Sequence, residues 1–170
     1  MDSQSVRAAE TVPKASRGWD AAKKVNGRKR HIVVDTLGLL LMVWVTAANI
    51  SDSAAGRQLL WRLRGRFPRV RRVWVDGGYQ QGLVAWALAV LQTVVSVVSR
   101  PAGRRGFVVL PRRWVAERTL AWTCKYRRCV RDYERTTEHS EAMVKWAMIG
   151  VMTTRLAHRP AATHKDRLTA

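Results

Sequence analysis

Two apolar runs lie close together early in the chain, HIVVD at residues 31–35 and LLLMVWVTA at 39–47, around Thr36, Leu37 and Gly38. β-Branched and apolar residues on either side of a short turn predict a hairpin. Both runs are apolar at successive positions, the pattern of strands covered on both faces. After Ile50 the period changes. In SDSAAGRQLLWRLRGRF, Leu59, Leu60 and Leu63 recur on one helical face, Ser51, Asp52 or Ser53 can cap the start, and Pro68 follows the end. VRRVWVDGGY then predicts a short strand over 71–75 stopped by Asp76-Gly77-Gly78. A helix is expected from Gln80 to Leu91, a buried strand in TVVSVVS, a basic turn in RPAGRRG and a further short strand in FVVL. One helix is expected from Arg112 to about Arg131 and a last one from Ser140, with Glu141 in its first turn, to about Leu156.

Residues 7–29 mix small, polar and basic side chains with Pro13, Gly18 and Gly27, show no sustained period and read as a long loop. The tail, residues 157–170, lacks a core pattern and reads as disordered and basic. Strands and helices in this order make one α/β domain with a mixed sheet over residues 1–156. At 170 residues and 47% hydrophobic content, the chain is long enough to bury a core.

Charge changes the picture most. Thirty-one Lys and Arg face twelve Asp and Glu, a formal net charge of +19. Such an excess calls for a polyanion, and the basic residues are spread along the chain rather than gathered in one amphipathic segment. DNA therefore fits better than a membrane surface. The longest apolar run is shorter than a membrane span and no secretory signal pattern opens the chain, so a cytoplasmic location is expected. Cys124 and Cys129 lie five apart on the expected long helix, which suits neither a zinc pair nor a disulfide framework. The four histidines show no ligand spacing.

With so few acids, their positions carry information. Asp76 ends a strand ahead of two glycines, where open α/β sheets display functional side chains, although Asp-Gly-Gly is equally a turn. Glu117 stands among Arg112, Arg113 and Arg118 and has the bland alternative of a helix-surface pair with Arg113. Asp2, in MDSQSV, has the alternative of a frayed terminus. Together, three carboxylates from separate elements in basic surroundings match the needs of divalent-cation phosphoryl transfer.

The stretches DSQSVRAAE, RGWDAAKKVNGRKRHIVVDTLGLLL, NISD, VWVDGGYQQGLVAWA, RRGFVVLPRRWVAERTLAW, YRRCVRDYE and SEAMVKWAMIGVM resemble, in order and spacing, the DDE transposases of the bacterial insertion-sequence 4 and 5 superfamily. The resemblance implies an α/β ribonuclease-H-like mixed sheet with flanking helices, here with the first strand truncated. It implies Asp2, Asp76 and Glu117 as catalytic ligands of two Mg2+ ions, and strand cleavage and strand transfer in DNA transposition. Lys23, Lys24, Arg28, Lys29, Arg30, Arg113 and Arg118 are the expected phosphate contacts. A homodimer on paired element ends is expected. A chain completed by the product of an upstream reading frame is another expectation. The alternative is a catalytically inactive DNA-binding remnant. The chain departs from the family pattern at Leu110 and Trp19, where tyrosines are usual; neither is a metal ligand.

Overall fold

The computed structural model describes residues 1–79, 82–99 and 110–157. The predicted hairpin is present: β3 (Val25–Val34) and β4 (Leu40–Ala47) pair antiparallel, with a register shift between Val33 and Val34. Asp35 shapes the turn by accepting the backbone N–H groups of Leu37 and Leu39 on Oδ1, at 2.9 and 2.8 Å. Gly38 takes φ +87°, a conformation that suits glycine. β1 (Asp2–Arg7) runs antiparallel to β3 on its other side, from Asp2 opposite Ile32 to Arg7 opposite Gly27. β2 (Gly18–Asp20) pairs with the first residues of β3, beyond the end of β4. The expected long loop over 7–29 is thus corrected. Its second half is a small hairpin whose strands lack an apolar run: Trp19 and Asn26 face outward, and Asp20 turns in to Ser5 and Lys29.

The second sheet is a parallel pair, β5 (Arg72–Val75) and β6 (Val94–Val97), so the mixed set of strands is described as two sheets. They approach where the backbone nitrogen of Met1 donates to the carbonyl of Trp74 at 2.8 Å. α1 (Asp52–Arg66) begins on Ser51, whose side chain accepts the N–H of Ala54. It buries Leu59, Leu60 and Leu63 as its period requires. With α2 (Leu83–Leu91) it encloses Val33, Val73, Val75, Tyr79, Leu83, Ala87, Leu91 and Val95 in one core. The opposite face of β3 and β4 presents Ile32, Val43 and Val45 to Leu120 of α3 (Pro111–Thr123) and Val144 of α5 (Thr137–Ala157). Strands apolar on successive residues are covered on both faces here, as their composition predicts.

The single helix expected over 112–131 is corrected to α3, a turn at Cys124–Tyr126 and the short α4 (Arg127–Val130). Thr119 and Thr123 in α3 turn their hydroxyls onto the carbonyls of Val115 and Leu120, local bonds that compete with helix continuation. Cys124 and Cys129 consequently sit on different elements and are free thiols. α5 begins three residues before the expected start and includes Ala157. The turn at 100–106, most of FVVL, Gln80 and the remainder of the tail lie outside the described residues.

Behind β3 lies a buried ion pair. Arg28 and Asp132 are both fully buried, Nη1 to Oδ1 3.4 Å. The five guanidinium N–H groups of Arg28 have acceptors in the Asp132 carboxylate, the carbonyls of Ser16, Glu134, Arg135 and Thr136, and the Ser16 hydroxyl. Asp132 in turn accepts from Ser140 Oγ at 2.6 Å and from the N–H of Glu134 at 3.0 Å. Removing one partner leaves an uncompensated buried charge, which typically costs about 3–5 kcal/mol. Asp132→Ala is expected to lose stability of that order in urea denaturation. Loss below about 1 kcal/mol would remove the pair from the account of the fold.

Candidate active site

β1 places Asp2 at its first position, 7% exposed, with Oδ1 accepting the N–H of Ser3 at 2.7 Å. Burial pushes its carboxyl up to about 6. The Ser3 N–H opposes that shift, the charge of Asp76 adds to it, and Arg113 works against it. Asp76 directly follows β5, and its Oδ1 accepts the N–H of Gly78 at 3.0 Å. The two carboxylates, seventy-four positions apart in the chain, thus act on each other across the gap between the sheets. Asp2 is an ordered strand residue, so the frayed-terminus alternative does not hold.

A third acid stands beside them that sequence reasoning weighed only as a helix cap. Asp52, first residue of α1, accepts Ser3 Oγ at 2.9 Å and lies 3.3 Å from Lys29 Nζ and 3.9 Å from His31 Nδ1. His31 is fully buried, and burial drops its pKa to about 4 despite the nearby Asp52 charge, so it is neutral near pH 7. Asp52 Oδ2 is 3.0 Å from where a Cβ on Gly78 would stand, and Asp76 Oδ1 is 3.2 Å from it. Gly78 therefore lets the Asp76 loop close over the end of α1. Under that loop, the Tyr79 hydroxyl is buried with no partner at hydrogen-bonding geometry. Burial first, then the charges of Asp52, Asp2 and Asp76, raise its pKa well above the ordinary phenol range. The sequence signal for Asp52 was its place in the Ser-Asp-Ser step after β4; only the fold brings it next to Ser3.

Glu117 is on α3, 2.7 Å from Arg113 Nε, with both side chains about two-fifths exposed. The structure joins it to Arg113, and Arg113 to the field of Asp2. Among the described residues, no three His, Cys, Asp or Glu side chains form a metal-ligating group. Asp2 and Asp76 nevertheless suit a hard divalent cation. They are oxygen donors, one on β1 and one just after β5, whose charges oppose each other, and Mg2+ commonly takes one or two carboxylates with the rest of its shell from phosphate and water.

Of the expected phosphate contacts, Lys23 and Lys24 are exposed. Arg28, Lys29 and Arg30 are not, and the expectation for them is corrected. Arg28 has no free donor, Lys29 binds the Ile50 carbonyl at 3.0 Å beside Asp20 and Asp52, and Arg30 donates to the Cys129 carbonyl at 2.5 Å. A basic run on a central strand is drawn inward because both faces of that strand are covered. Arg118 is partly exposed and donates to the Leu37 carbonyl at 3.0 Å.

The family model described as "Transposase DDE domain" matches residues 1–151. Over 126 residues, 70% of this chain, the sequence is 32% identical to a Burkholderia cepacia protein described as "Putative transposase for insertion sequence element IS402". The match spans 59% of that relative's length. No solved structure matches the chain. No helix among the described residues is long and apolar enough to cross a membrane.

The Asp2 shift makes a signed prediction. The folded carboxyl titrates near 6 and the unfolded one near 3.8, so between these values the native state binds the extra proton. This contribution favours folding at low pH and is lost as pH rises through about 6, reaching about 3 kcal/mol of destabilisation. Asp2→Asn is expected to raise stability at pH 8 by up to that amount, the gain fading below about pH 4. An equal gain at both pH values would contradict it. Tyr79→Phe, which removes a buried hydroxyl outside hydrogen-bonding geometry whose one polar interaction is with the Ser3 side chain, is expected to change stability in urea by less than about 1 kcal/mol.

Proposed function

The chain belongs to the transposase DDE domain family, and from that premise we propose that it carries the centre that cuts and joins DNA strands in transposition of an insertion sequence. In this reading Asp2 and Asp76 would hold the divalent cation, and Glu117, paired with Arg113 in this structure, would be the third ligand. When bound, two Mg2+ ions supply activation of the attacking oxygen and stabilisation of the leaving one. The chain's own residues do the rest. Burial around Asp2 keeps water from its carboxylate, and the Ser3 N–H and Asp52 fix the strand end that carries it. Arg113, freed from Glu117, offers a cation to a phosphate beside Asp2, and Lys23 and Lys24 position the backbone further out. A homodimer on paired element ends, membership of the insertion-sequence 4 and 5 superfamily and a ribonuclease-H-like fold belong to the same proposal.

The observation that carries it is the convergence of Asp2 and Asp76 from two sheets, each within reach of the other's charge. One observation favours a second reading, a DNA-binding chain without cleavage: Glu117 is engaged by Arg113 rather than by the other acids. Mg2+-dependent nicking of a labelled duplex carrying the element's terminal repeat separates the two. Nicking that falls more than about 100-fold in Asp76→Ala and in Glu117→Gln is expected, since even groups one shell out from a metal cost 10- to 100-fold. DNA binding with no nicking by the parent chain would leave the second reading in place.

A further inference from the structure

Among the described residues β4 is an edge strand, paired with β3 and with no strand on its other side. Backbone groups along such a strand point alternately inward and outward. The N–H of Ala48 donates to the Gly27 carbonyl at 3.1 Å, one step beyond Arg28 opposite Ala47. Thr46, Trp44 and Met42 therefore also bond β3, while Val43, Val45 and Ala47 turn their backbone groups outward. Two of these outward positions are used. Val45 donates its N–H to Glu141 Oε1 of α5 at 3.1 Å, and the Ala47 carbonyl accepts the N–H of Ile50 at 3.1 Å. At Val43, among the described residues, neither the N–H nor the carbonyl has a partner on that side.

This stretch of edge borders a cavity of about 550 Å3 between α1 and α5. The two faces of β4 give it unlike walls. Val43 and Val45 pack on the side of Val144 and α5, where Met148, Ile149 and Met152 line the cavity and Ile149 is 44% exposed. Met42 and Trp44 pack on the side of α1, which lines the cavity with Arg62 and Arg66. The Arg62 guanidinium lies 4.9 Å from the Trp44 ring centroid, and Arg66 is exposed without an acidic partner among the described residues. Residues directly opposite in a strand pair share a face. A strand laid beside β4 would thus alternate between an apolar wall and a cationic one.

We propose that this edge takes an extended segment of a partner protein as an added strand, its residues alternating between apolar and acidic. Main-chain bonds at Val43 supply attachment and the two walls supply the choice of sequence. Duplex DNA fits the arginines but gives the apolar wall nothing and offers the Val43 carbonyl no matching strand. A second copy of the chain, with its net charge of +19, would by symmetry bring the same arginines to the same interface. The acidic partner complements what both of these repeat or ignore. This goes beyond the strand-cutting reading and does not depend on it.

Fluorescence anisotropy of the full chain with labelled six-residue peptides tests it. One peptide alternates valine and glutamate, a second has the same composition with the valines and glutamates in separate blocks, and a third alternates valine and lysine. The first is expected to bind at least about 10-fold more tightly than the others, since like charges set against each other cost more than the 1.4 kcal/mol of one decade. Arg66→Glu is expected to weaken the glutamate peptide and strengthen the lysine one, a reversal that unfolding cannot produce. Ile149→Asp is expected to weaken both. No binding by the alternating glutamate peptide, equal binding by the block peptide, or equal losses on both alternating peptides in Arg66→Glu overturns the proposal. So does sedimentation equilibrium showing a dimer that Ile149→Asp dissociates, which would assign the edge to a second copy, or duplex DNA displacing the bound peptide from the parent but not binding Arg66→Glu, which would assign it to DNA.

Discussion

The Arg28–Asp132 pair fixes the frame on which the rest of the molecule depends. Taking both charges out of water is expensive, and their attraction repays it only when every remaining donor and lone pair is met. The chain meets that condition by folding residues 132–136 around the guanidinium, so three consecutive carbonyls from Glu134 to Thr136 point at one side chain. The same loop is bound to β1: the N–H of Asp132 donates to Arg7 and its carbonyl accepts from Ala9. Ser140, in the first turn of α5, closes on the second carboxylate oxygen. One ion pair therefore sets the register of β1 against β3 and the entry point of α5. β1 is six residues long, so its far end lies about 17 Å away at 3.4 Å per residue, and Asp2 occupies that end. What holds one end of the strand aims the other.

β3 carries charge on both faces, and the two sets do different things. Arg28 and Arg30 point toward the 129–136 region and are saturated by its carbonyls and by Asp132. Lys29 and His31 point to the side where α1 begins, and there the negative partners are Asp20 and Asp52. Lys29 thus holds Asp52, Asp52 holds Ser3, and Ser3 follows Asp2 in the chain. Asp52 also approaches the Asp76 loop at Gly78. A cation on the central strand is in this way connected to both candidate ligands without touching either, and neutral His31 fills the space beneath without adding a competing charge.

This division explains what could be read from the sequence. The hairpin, α1 and the strand before Asp76 were legible because apolar period and local turn chemistry specify them, down to the Thr36–Gly38 turn, whereas the choice of Ser51 over Asp52 and Ser53 as the cap came from the fold. The fate of RKRH was not. Four polar residues in a row look like a solvated basic face, and only pairing with β1 on one side and β4 on the other turns them inward. Asp2 was legible through the resemblance of its surrounding motif, whereas its burial follows from pairing with Ile32 thirty positions on. The break after Thr123 was missed because Cys124, Lys125 and Tyr126 include no glycine or proline. Asp52 was read as a cap because its functional neighbours, Ser3 and Gly78, are distant in the chain.

Glu117 poses the energetic question on which the candidate site turns. Its pair with Arg113 is short, yet both side chains are about two-fifths exposed, and exposed pairs four apart on a helix contribute only about 0.3–0.5 kcal/mol. A third carboxylate set against Asp2 and Asp76 would meet like charge, and the raised Asp2 value already reports that repulsion in part. Pairing with Arg113 is therefore the favourable arrangement for Glu117 on electrostatic grounds alone. In the proposed reading its release would cost little against what a divalent cation would offer three carboxylates. Arg113 is then the group that gains: it already acts on Asp2, and losing Glu117 leaves its guanidinium open to a phosphate at the same place.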